Sequence, residues 1–336
     1  MLGVIEEQKI TMGMRCRKCQ QPAVINMRQH KLALCKKDFI EWIQEQVERF
    51  IHKYRMFTHD DRILIAVSGG KDSLALWDIL LALGYQADGV YISLGIDGGI
   101  DYSAESLRYI EEFISQRENL TLHVVDVEEL YGASLPEATQ YVRRGKPCSV
   151  CGLSKRHIMN RVARDGNYDV LATGHNLDDE AATLFGNTLQ WSVGYLQRQG
   201  PVLPARTSGL ARKVKPLFRF YEREMAAYAL LRGIEYIYDE CPFSEGATSI
   251  RHKELLNELE VESPGAKIQF YQGFLRAREE HGIFALQAED DSLQLNVCPT
   301  CDQPTTNEGT CSFCRTWDRV RHLKLENEEA IETTHE

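Results

Sequence analysis

No apolar run in the 336-residue chain approaches the roughly 20 residues that a membrane-spanning helix needs. The N-terminal residues also lack the charged and apolar regions of a secretory signal peptide. Both absences predict a cytoplasmic protein, in which ten cysteines indicate metal binding or catalysis rather than structural disulfides. A chain of this length can bury a sizeable core and suggests two or three folding units.

The net charge of −10 gives no support to a nucleic-acid partner by itself, but the basic residues are unevenly distributed. Residues 141–164 contain no acid, and residues 198–223 contain only Glu222. The basic residues of the two segments are Arg143, Arg144, Lys146, Lys155, Arg156, Arg161, Arg164, Arg198, Arg206, Arg212, Lys213, Lys215, Arg219 and Arg223. Their clustering predicts contact with a polyanion, although some of them would be ordinary solvated helix faces.

The segment Ser68-Gly-Gly-Lys-Asp-Ser73 stands between a predicted strand and a predicted helix. Ile63–Val67 is a short apolar run typical of a buried strand, and Leu74–Leu83 consists of strong helix formers that end at Gly84. A strand, a glycine turn and a helix N-terminus direct backbone N–H groups and the helix dipole at one point, which favours an anion. The simpler interpretation is an ordinary βα turn with a serine cap. The segment lacks Walker A spacing and resembles the PP-loop of the ATP pyrophosphatases, which cleave ATP between its α and β phosphates to adenylate a substrate.

The rest of the central region alternates between strand and helix patterns, which predicts an α/β fold with a doubly wound parallel sheet. Predicted strands after the first are Gly89–Gly95, Leu122–Val127, Asp169–Gly174 and Glu235–Tyr238, with helices at 103–117 and 251–285. Ligands of such sheets bind beyond the carboxyl ends of the strands. Ser68–Ser73, Gly174–Glu180 and Cys241 all follow predicted strands, so we expect them to converge.

The segment Gly174-His-Asn-Leu-Asp-Asp-Glu180 is the second motif. Asp178 and Asp179 stand at a predicted helix start, where one carboxylate is expected to serve as a cap. Beside a phosphate loop, such carboxylates also suit the magnesium ion that a pyrophosphate leaving group needs. We expect Asp179 to be the functional carboxylate and His175 to line the nucleotide pocket, the alternative for His175 being a buried structural histidine.

Two cysteine sets have the spacing of zinc sites. Near the N-terminus these are Cys16, Cys19 and Cys35, with Asp38 favoured as the fourth ligand and His30 as the alternative. Near the C-terminus, two Cys-x-x-Cys pairs predict a zinc ribbon formed by Cys298, Cys301, Cys311 and Cys314. For the N-terminal set, three unrelated reduced thiols remain the other interpretation.

The remaining cysteines are Cys148, Cys151 and Cys241. A Cys-x-x-Cys pair is compatible with a redox pair, half a zinc site or part of an iron–sulfur site. Three thiolates can hold a cubane cluster that leaves one iron open. One alternative is a cluster-free mechanism, in which one of Cys148 and Cys241 carries a persulfide and the other resolves it as a disulfide. The other is a purely structural trio. Lys155, four residues after Cys151, is expected at the reaction centre.

In their order, these motifs resemble the tRNA 2-thiouridine synthetases, both those acting on the T-loop 5-methyluridine and their wobble-uridine relatives, over nearly the whole chain. The resemblance implies an ATP-dependent tRNA sulfurtransferase that adenylates O2 of a uridine and replaces that oxygen with sulfur. It also implies a 4Fe-4S cluster on Cys148, Cys151 and Cys241, besides magnesium and two zinc ions. The departure is Asp38, where relatives usually carry histidine or cysteine.

The same resemblance implies site residues by position. The expected catalytic residues are Cys148, Cys241, Lys155, Asp179 and Ser73. The expected nucleotide-binding residues are Ala66, Ser68, Gly69, Gly70, Lys71, Asp72, Ser73, Ile92, Gly174, His175 and Asp179. The implied partners are tRNA and, as sulfur donor, a ubiquitin-like sulfur-carrier protein with a C-terminal thiocarboxylate or free sulfide; a homodimer is also possible.

Three other activities remain as alternatives: a 2-thiocytidine synthase, another adenylating PP-loop enzyme, and a zinc-ribbon RNA-binding protein without nucleotide chemistry. The 2-thiocytidine enzymes share the central cysteines but lack both zinc modules. The glycine- and proline-containing loop 189–210 is expected to be mobile and to order on RNA. The predicted domains are an N-terminal zinc knuckle (1–40), a linking helix (41–57), a catalytic domain (58–250), a helical linker (251–290), a zinc ribbon (291–322) and an acidic, disordered tail (323–336).

Overall fold

The computed structural model describes residues 13–142, 147–205, 209–244, 246–284 and 295–334, the last five of them by backbone alone. In chain order its strands and α-helices are β1 (Ile25–Met27), β2 (Leu32–Leu34), α1 (Lys36–Lys53), β3 (Ile63–Ala66), α2 (Lys71–Ala82), β4 (Ala87–Ser93), α3 (Tyr102–Ser115), β5 (Leu122–Asp126), α4 (Val127–Tyr131), α5 (Leu135–Tyr141), α6 (Pro147–Asp165), β6 (Val170–Thr173), α7 (Leu177–Leu189), α8 (Val193–Leu196), β7 (Val202–Leu203), β8 (Arg212–Val214), α9 (Glu222–Arg232), α10 (Thr248–Glu262), α11 (Ala266–His281), β9 (Asn296–Val297), β10 (Pro304–Thr305) and α12 (Ser312–Thr334).

The central element is a six-stranded sheet with the order β5-β4-β3-β6-β8-β7. All neighbouring strands are parallel except β7, which pairs antiparallel with β8 at the edge. The chain passes from β3 outward to β4 and β5 and then returns to β6 on the other side of β3. This reversal creates a crevice at the carboxyl ends of β3 and β6, where ligands of doubly wound sheets bind. The predicted fold class is confirmed.

Helix α2 is buried on most of its surface because α1 and α9 cover the face that does not meet the sheet. Trp77 fills the space above Gly89 and donates a hydrogen bond from Nε1 to the Ala87 carbonyl at 2.9 Å. A Cβ at position 89 would lie 2.6 Å from the Trp77 ring, so only glycine fits in this part of β4. The packing fixes the helix that begins directly after Ser68–Gly70.

The predicted last strand, Glu235–Tyr238, is wrong. This segment is irregular, and its Ile237 N–H donates to the Gly69 carbonyl at 3.0 Å instead of entering a sheet. The sheet is extended by β8 and β7, which the sequence analysis did not predict. β8 contains Arg212 and Lys213, and its pairing with β6 overrides its weak intrinsic preference for a strand.

The prediction of a disordered tail is also wrong within the described residues, because α12 continues to Thr334. The tail sequence is rich in glutamate, which favours a helix, and begins with the helix formers Leu323, Lys324 and Leu325. Lys324 anchors this helix by an ion pair of 3.0 Å with Glu137 on α5, and His322 lies 3.4 Å from Glu326 one turn along. Loop 189–210 contains α8 and β7, with 206–208 outside the described residues; its mobility stays a prediction.

The helices of the described ranges include no segment that is both long and apolar enough to cross a membrane. The predicted helices at 103–117 and 251–285 correspond to α3 and to the α10–α11 pair. The amphipathic helix predicted over residues 37–57 is α1, which begins at Lys36, inside the predicted knuckle domain, because Cys35 serves as its N-cap by accepting from the Asp38 N–H. The first metal-ligand set and helix α1 therefore overlap in sequence.

Candidate active site

The loop after β3 is held by hydrogen bonds between its own serine hydroxyl and backbone groups. Ser73 Oγ donates to the Gly70 carbonyl at 2.9 Å and accepts from the Ser68 N–H at 3.1 Å. Gly69 has a φ of +77°, and a Cβ there would lie 2.6 Å from the Ser106 carbonyl oxygen. Glycine is therefore required at position 69 for conformation and for space. The loop then ends at Gly70, the N-cap of α2, whose unpaired N–H groups favour an anion.

The turn after β6 packs directly against this loop. A Cβ at Gly174 would lie 2.8 Å from the Ser73 backbone nitrogen, so the two turns can only meet through glycine. Asn176 Nδ2 donates to Asp72 Oδ1 at 3.1 Å, and Asn176 and Asp179 cap α7 reciprocally at 3.1 and 3.2 Å. Burial raises the pKa of Asp72, although the charge of Lys71 opposes this. The expected convergence of the first two motifs is observed.

Asp178 and Asp179 have different surroundings. Asp178 is buried, accepts a hydrogen bond from the Glu222 N–H at 2.8 Å and is ion-paired with the buried Lys267. Asp179 is about 29% exposed and lies 2.6 Å from Lys253 Nζ. Asp178 is therefore a structural carboxylate, whereas Asp179 faces the open side of the crevice. His175 is solvent-accessible at the crevice and contacts Thr173 Oγ1 at 2.7 Å, while desolvation by the surrounding residues lowers its pKa.

A chain of ion pairs lines the same crevice. Lys71 Nζ lies 2.7 Å from Glu222, which lies 3.4 Å from Lys253. Burial lowers the pKa of Lys71, but Asp72 and Glu222 outweigh this effect, so that its pKa is raised and the side chain stays charged. Sequence reasoning missed both Glu222 and Lys253. The only available signal was that Glu222 is the single acid among the basic residues of 198–223.

A cavity of about 130 Å³ lies between the carboxyl ends of β3 and β4 and helix α6. It brings together six of the predicted site residues: Ala66, Ser68, Ile92, Cys151, Lys155 and Cys241. Tyr102 and Ser106 complete one wall, and no sequence pattern had indicated them. Residues expected for nucleotide binding and residues expected for sulfur chemistry therefore share one space.

Cys148 lies outside this cavity lining but close to it. Its Sγ donates to the Phe243 carbonyl at 3.4 Å, two residues beyond Cys241. Burial raises the pKa of Cys151, the nearby Cys241 and Cys148 thiols add to the effect, and Lys155 opposes it. All three are free thiols: Cys148 and Cys151 lie in the first turns of α6, and Cys241 lines the cavity from the segment that precedes Pro242. This donor set fits a cluster held by three thiolates.

Each terminal set could hold one metal ion, since its ligand atoms all lie within 4.8 Å of one another. In the first set Asp38 is the fourth member, with Oδ2 at 2.9 Å from Cys16 Sγ and 3.2 Å from Cys35 Sγ. His30 lies instead 5.1 Å from the Trp42 ring and 3.5 Å from Glu224. In the second set Cys298, Cys301, Cys311 and Cys314 come together as predicted.

The basic segments are only partly available to a polyanion. Lys215 pairs with the buried Glu180 at 2.7 Å, and Arg219 stacks over Phe50 at 4.6 Å. Lys213 is half-buried in β8, where burial lowers its pKa. These three residues therefore have structural roles. Arg143, Arg144, Lys146 and Arg206 lie outside the described residues.

Comparison with known proteins places these motifs in a family. A PP-loop domain family matches residues 40–246, and the N-terminal LIM domain of the 2-thiouridine synthetase TtuA matches residues 15–40. The chain is 48% identical to the tRNA-5-methyluridine(54) 2-sulfurtransferase of Thermus thermophilus, over 91% of this chain and 92% of that protein. The protein of the same name from Thermotoga maritima is 42% identical, over 93% of this chain and 98% of its own length.

Among solved structures, the chain is similar to the U34-tRNA thiolase NcsA from Methanococcus maripaludis, which was determined with its 4Fe-4S cluster. The TM-score is 0.70 and the identity 26%, covering 80% of this chain and 89% of that chain. The family match and the extent of identity agree with the motifs that meet at the cavity of this chain. The chain therefore belongs to the PP-loop family of tRNA-5-methyluridine(54) 2-sulfurtransferases.

Proposed function

We propose that this protein uses ATP to convert the T-loop 5-methyluridine of tRNA into its 2-thio derivative. The observation that carries the proposal is the cavity in which Ser68 of the phosphate loop, Lys155, Cys151 and Cys241 meet. An enzyme that activates a base oxygen with ATP and then replaces it with sulfur needs its ATP site and its sulfur site within reach of the same base. The higher identity to the 5-methyluridine enzymes, 48% against 26% for the U34 thiolase, favours the T-loop base.

In the first step, O2 of the uracil attacks the α-phosphorus of ATP. The new O–P bond forms as the bond to the β-phosphate breaks, pyrophosphate leaves with the electron pair, and the N3 proton is released. Ala66 and Ile92 would form the wall for adenine, and Gly69, Gly70 and Lys71 would surround the phosphates. Ser73 would keep the loop in shape, because its hydroxyl is already used within the loop.

Asp179 would hold a magnesium ion through its partly exposed carboxylate, with Asp72 and His175 nearby. A bound magnesium ion would neutralise the negative charge that develops on the leaving pyrophosphate. Lys155, which lines the cavity together with Ser68, would bind the α-phosphate. Cationic groups placed where charge develops in a transition state lower the barrier without reorganisation.

In the second step, hydrosulfide attacks C2 of the adenylated base. The C–S bond forms, AMP leaves with the C–O electron pair, and the proton on sulfur is transferred to N3. Cys148, Cys151 and Cys241 would hold a 4Fe-4S cluster, which when bound supplies an iron position for the sulfur nucleophile. A persulfide on Cys148 or Cys241 is the alternative: a sulfane-sulfur donor would supply its outer sulfur, and attack of the other thiol on the inner sulfur would release the thiolated base and leave a disulfide for an external thiol to reduce.

The proposed enzyme also needs a sulfur donor and surfaces that bind tRNA. Sulfur would come from a ubiquitin-like carrier with a thiocarboxylate terminus or from free sulfide, and the protein would act in the cytoplasm as a homodimer. The N-terminal knuckle, linking helix, catalytic domain, helical linker and zinc ribbon would form successive units. Both metal modules would contact tRNA, whose elbow holds the T-loop base in a folded shape.

The test is mass spectrometry of tRNA nucleosides after anaerobic incubation of the protein with ATP, magnesium, sulfide and tRNA. This tRNA contains 5-methyluridine but no thiolated nucleoside. We expect 2-thio-5-methyluridine to appear only when ATP is present. Thiolation of the wobble uridine instead would transfer the assignment to the U34 class. ATP turnover without any thiolated nucleoside would contradict the sulfurtransferase assignment.

A further inference from the structure

Lys253 on α10 reaches the phosphate crevice from outside the part of the chain that matches the PP-loop family. Its Nζ lies 2.6 Å from Asp179 and 3.4 Å from Glu222, and Glu222 in turn lies 2.7 Å from Lys71. The family match ends at residue 246, whereas α10 begins at Thr248. A residue of the helical linker therefore faces the same point as the phosphate-loop lysine.

The ion pairs of this group hold more negative than positive charge even before a phosphate binds. Three carboxylates, on Asp72, Asp179 and Glu222, face the two ammonium groups of Lys71 and Lys253. The triphosphate of ATP adds several negative charges, and a cation on Asp179 would take over the neutralisation that Lys253 now provides. Lys253 would then lose its contact with Asp179, because a lysine next to a bound cation is repelled, and would keep only its longer contact with Glu222.

We propose that Lys253 exchanges its contact with Asp179 for one with the β- and γ-phosphates of ATP, and so acts as a second pyrophosphate-binding lysine beside Lys71. The inference rests on the proposed function. The flexible four-carbon side chain of lysine allows such a change of partner without movement of the helix. Lys253 stays protonated throughout: the α–β phosphate bond breaks, the electron pair stays on pyrophosphate, and the ammonium group neutralises the charge.

A purely structural ion pair between α10 and α7 is the competing explanation. The two helices also pack through Leu256 against Ala181 and Ala182, all of them buried. The docking of α10 therefore does not depend on Lys253, which has about 28% of its side chain exposed. Removal of this charge should leave the fold intact, which makes the two explanations separable.

The experiment compares Lys253→Met and Lys253→Arg with a control on the same helix, Arg251→Met. Within the described ranges, Arg251 pairs with exposed acids of its own helix, at 3.0 Å from Glu254 and 4.0 Å from Glu258. Binding of magnesium pyrophosphate to the tRNA-free protein is measured by calorimetry, and the thermal midpoint is recorded for each variant. We expect Lys253→Met to weaken pyrophosphate binding about tenfold, as loss of one charge-assisted contact does. Lys253→Arg should restore most of the affinity, and Arg251→Met should match the wild type.

A Lys253→Met variant with unchanged pyrophosphate affinity would overturn the proposal, whatever its thermal midpoint. Failure of the proposed function would look different, because thiolation would then be absent in the wild type as well. Pyrophosphate affinity that falls in Lys71→Met but not in Lys253→Met would confirm the phosphate loop and assign Lys253 to structure alone.

Discussion

The indole Nε1 of Trp317 donates a hydrogen bond of 3.1 Å to Ser154 Oγ, and both side chains are almost completely buried. Trp317 belongs to the helix that follows the second cysteine set, and Ser154 immediately precedes Lys155 on α6. A second contact joins the same two parts: Gln303 bonds Asn160 at 2.9 Å. The C-terminal metal module is therefore attached to the helix that carries two of the central cysteines.

Replacement of Trp317 by phenylalanine should lower sulfur transfer more than ATP binding. The change keeps an aromatic ring but leaves the buried Ser154 hydroxyl without this donor, at a cost of about 1–3 kcal/mol. A shift of α6 would move the cluster ligand Cys151 and only one ATP contact, Lys155, because the rest of the phosphate site is held by β3 and α2. Thiolation rate and calorimetric ATP affinity are compared in Trp317→Phe and Ser154→Ala. Equal losses of both quantities would contradict this division.

Anaerobically purified protein should contain about two zinc ions and about four irons per chain. The three separate cysteine sets are the reason, since two of them are closed four-ligand groups and the third contains three free thiols. Elemental analysis gives the metal content, and Asp38→Ala should lower zinc to about one ion per chain. Iron-free protein with full thiolation activity would refute the cluster and favour the persulfide route.

Phosphate and sulfur chemistry should separate by mutation. Lys71→Ala and Asp72→Ala should reduce ATP turnover by about a hundredfold or more, since each removes a group from the phosphate crevice. Cys241→Ala should leave tRNA-dependent formation of pyrophosphate and abolish thiolation. The readouts are pyrophosphate release and nucleoside mass spectrometry in the same reaction. Loss of ATP turnover in Cys241→Ala combined with retention in Lys71→Ala would reverse the assignment.

Asp78→Asn should destabilise the fold by about 3–5 kcal/mol at neutral pH, as breaking a buried ion pair does. Asp78 is buried within α2 and contacts Arg117 and Arg232 at 2.8 Å each and Tyr228 at 2.8 Å. Burial raises its pKa, but the two arginines outweigh this and hold the pKa below its usual range. Urea unfolding at several pH values measures the difference between the two proteins.

The lowered pKa fixes the direction of this pH dependence. A carboxyl group with a folded-state pKa below its unfolded value contributes stability above the unfolded value, about pH 4, and loses it as pH falls through the folded value. The stability difference between wild type and Asp78→Asn should therefore narrow below about pH 4. A difference that stays constant down to pH 3 would indicate that the ion pairs contribute nothing.

Binding of tRNA should fall steeply with salt despite the net charge of −10, because each neutralised phosphate releases counterions. Arg143→Glu together with Arg144→Glu should weaken binding several-fold while leaving ATP affinity nearly unchanged. Lys213 is a poorer target than its sequence suggests, since it is half-buried in β8 and its reversal would disturb the sheet. The same reversal at exposed Arg108, which pairs with Glu105 on α3, is the matched control.

Short contiguous motifs were enough to predict the phosphate site, the metal sets and the fold class of this protein. Ser68–Ser73 and Gly174–Glu180 predicted the phosphate loop and its neighbour because strand, turn and helix start are encoded within a few residues. Cysteine spacing likewise predicted both terminal metal sets, including Asp38. The parallel sheet followed from the alternation of strand and helix patterns, since parallel strands need crossover helices.

Tertiary structure decided what depends on contacts between distant residues. β8 forms a strand only because β6 offers it a partner, and 235–238 fails to form one because Ile237 bonds Gly69 instead. Lys253 and Glu222 have no motif around them, and their contact with the phosphate crevice arises from the docking of α10 on α7. The attachment of Trp317 to Ser154 spans 163 residues. Local propensity and spacing are properties of short segments, whereas side-chain proximity of this kind exists only after the core has packed.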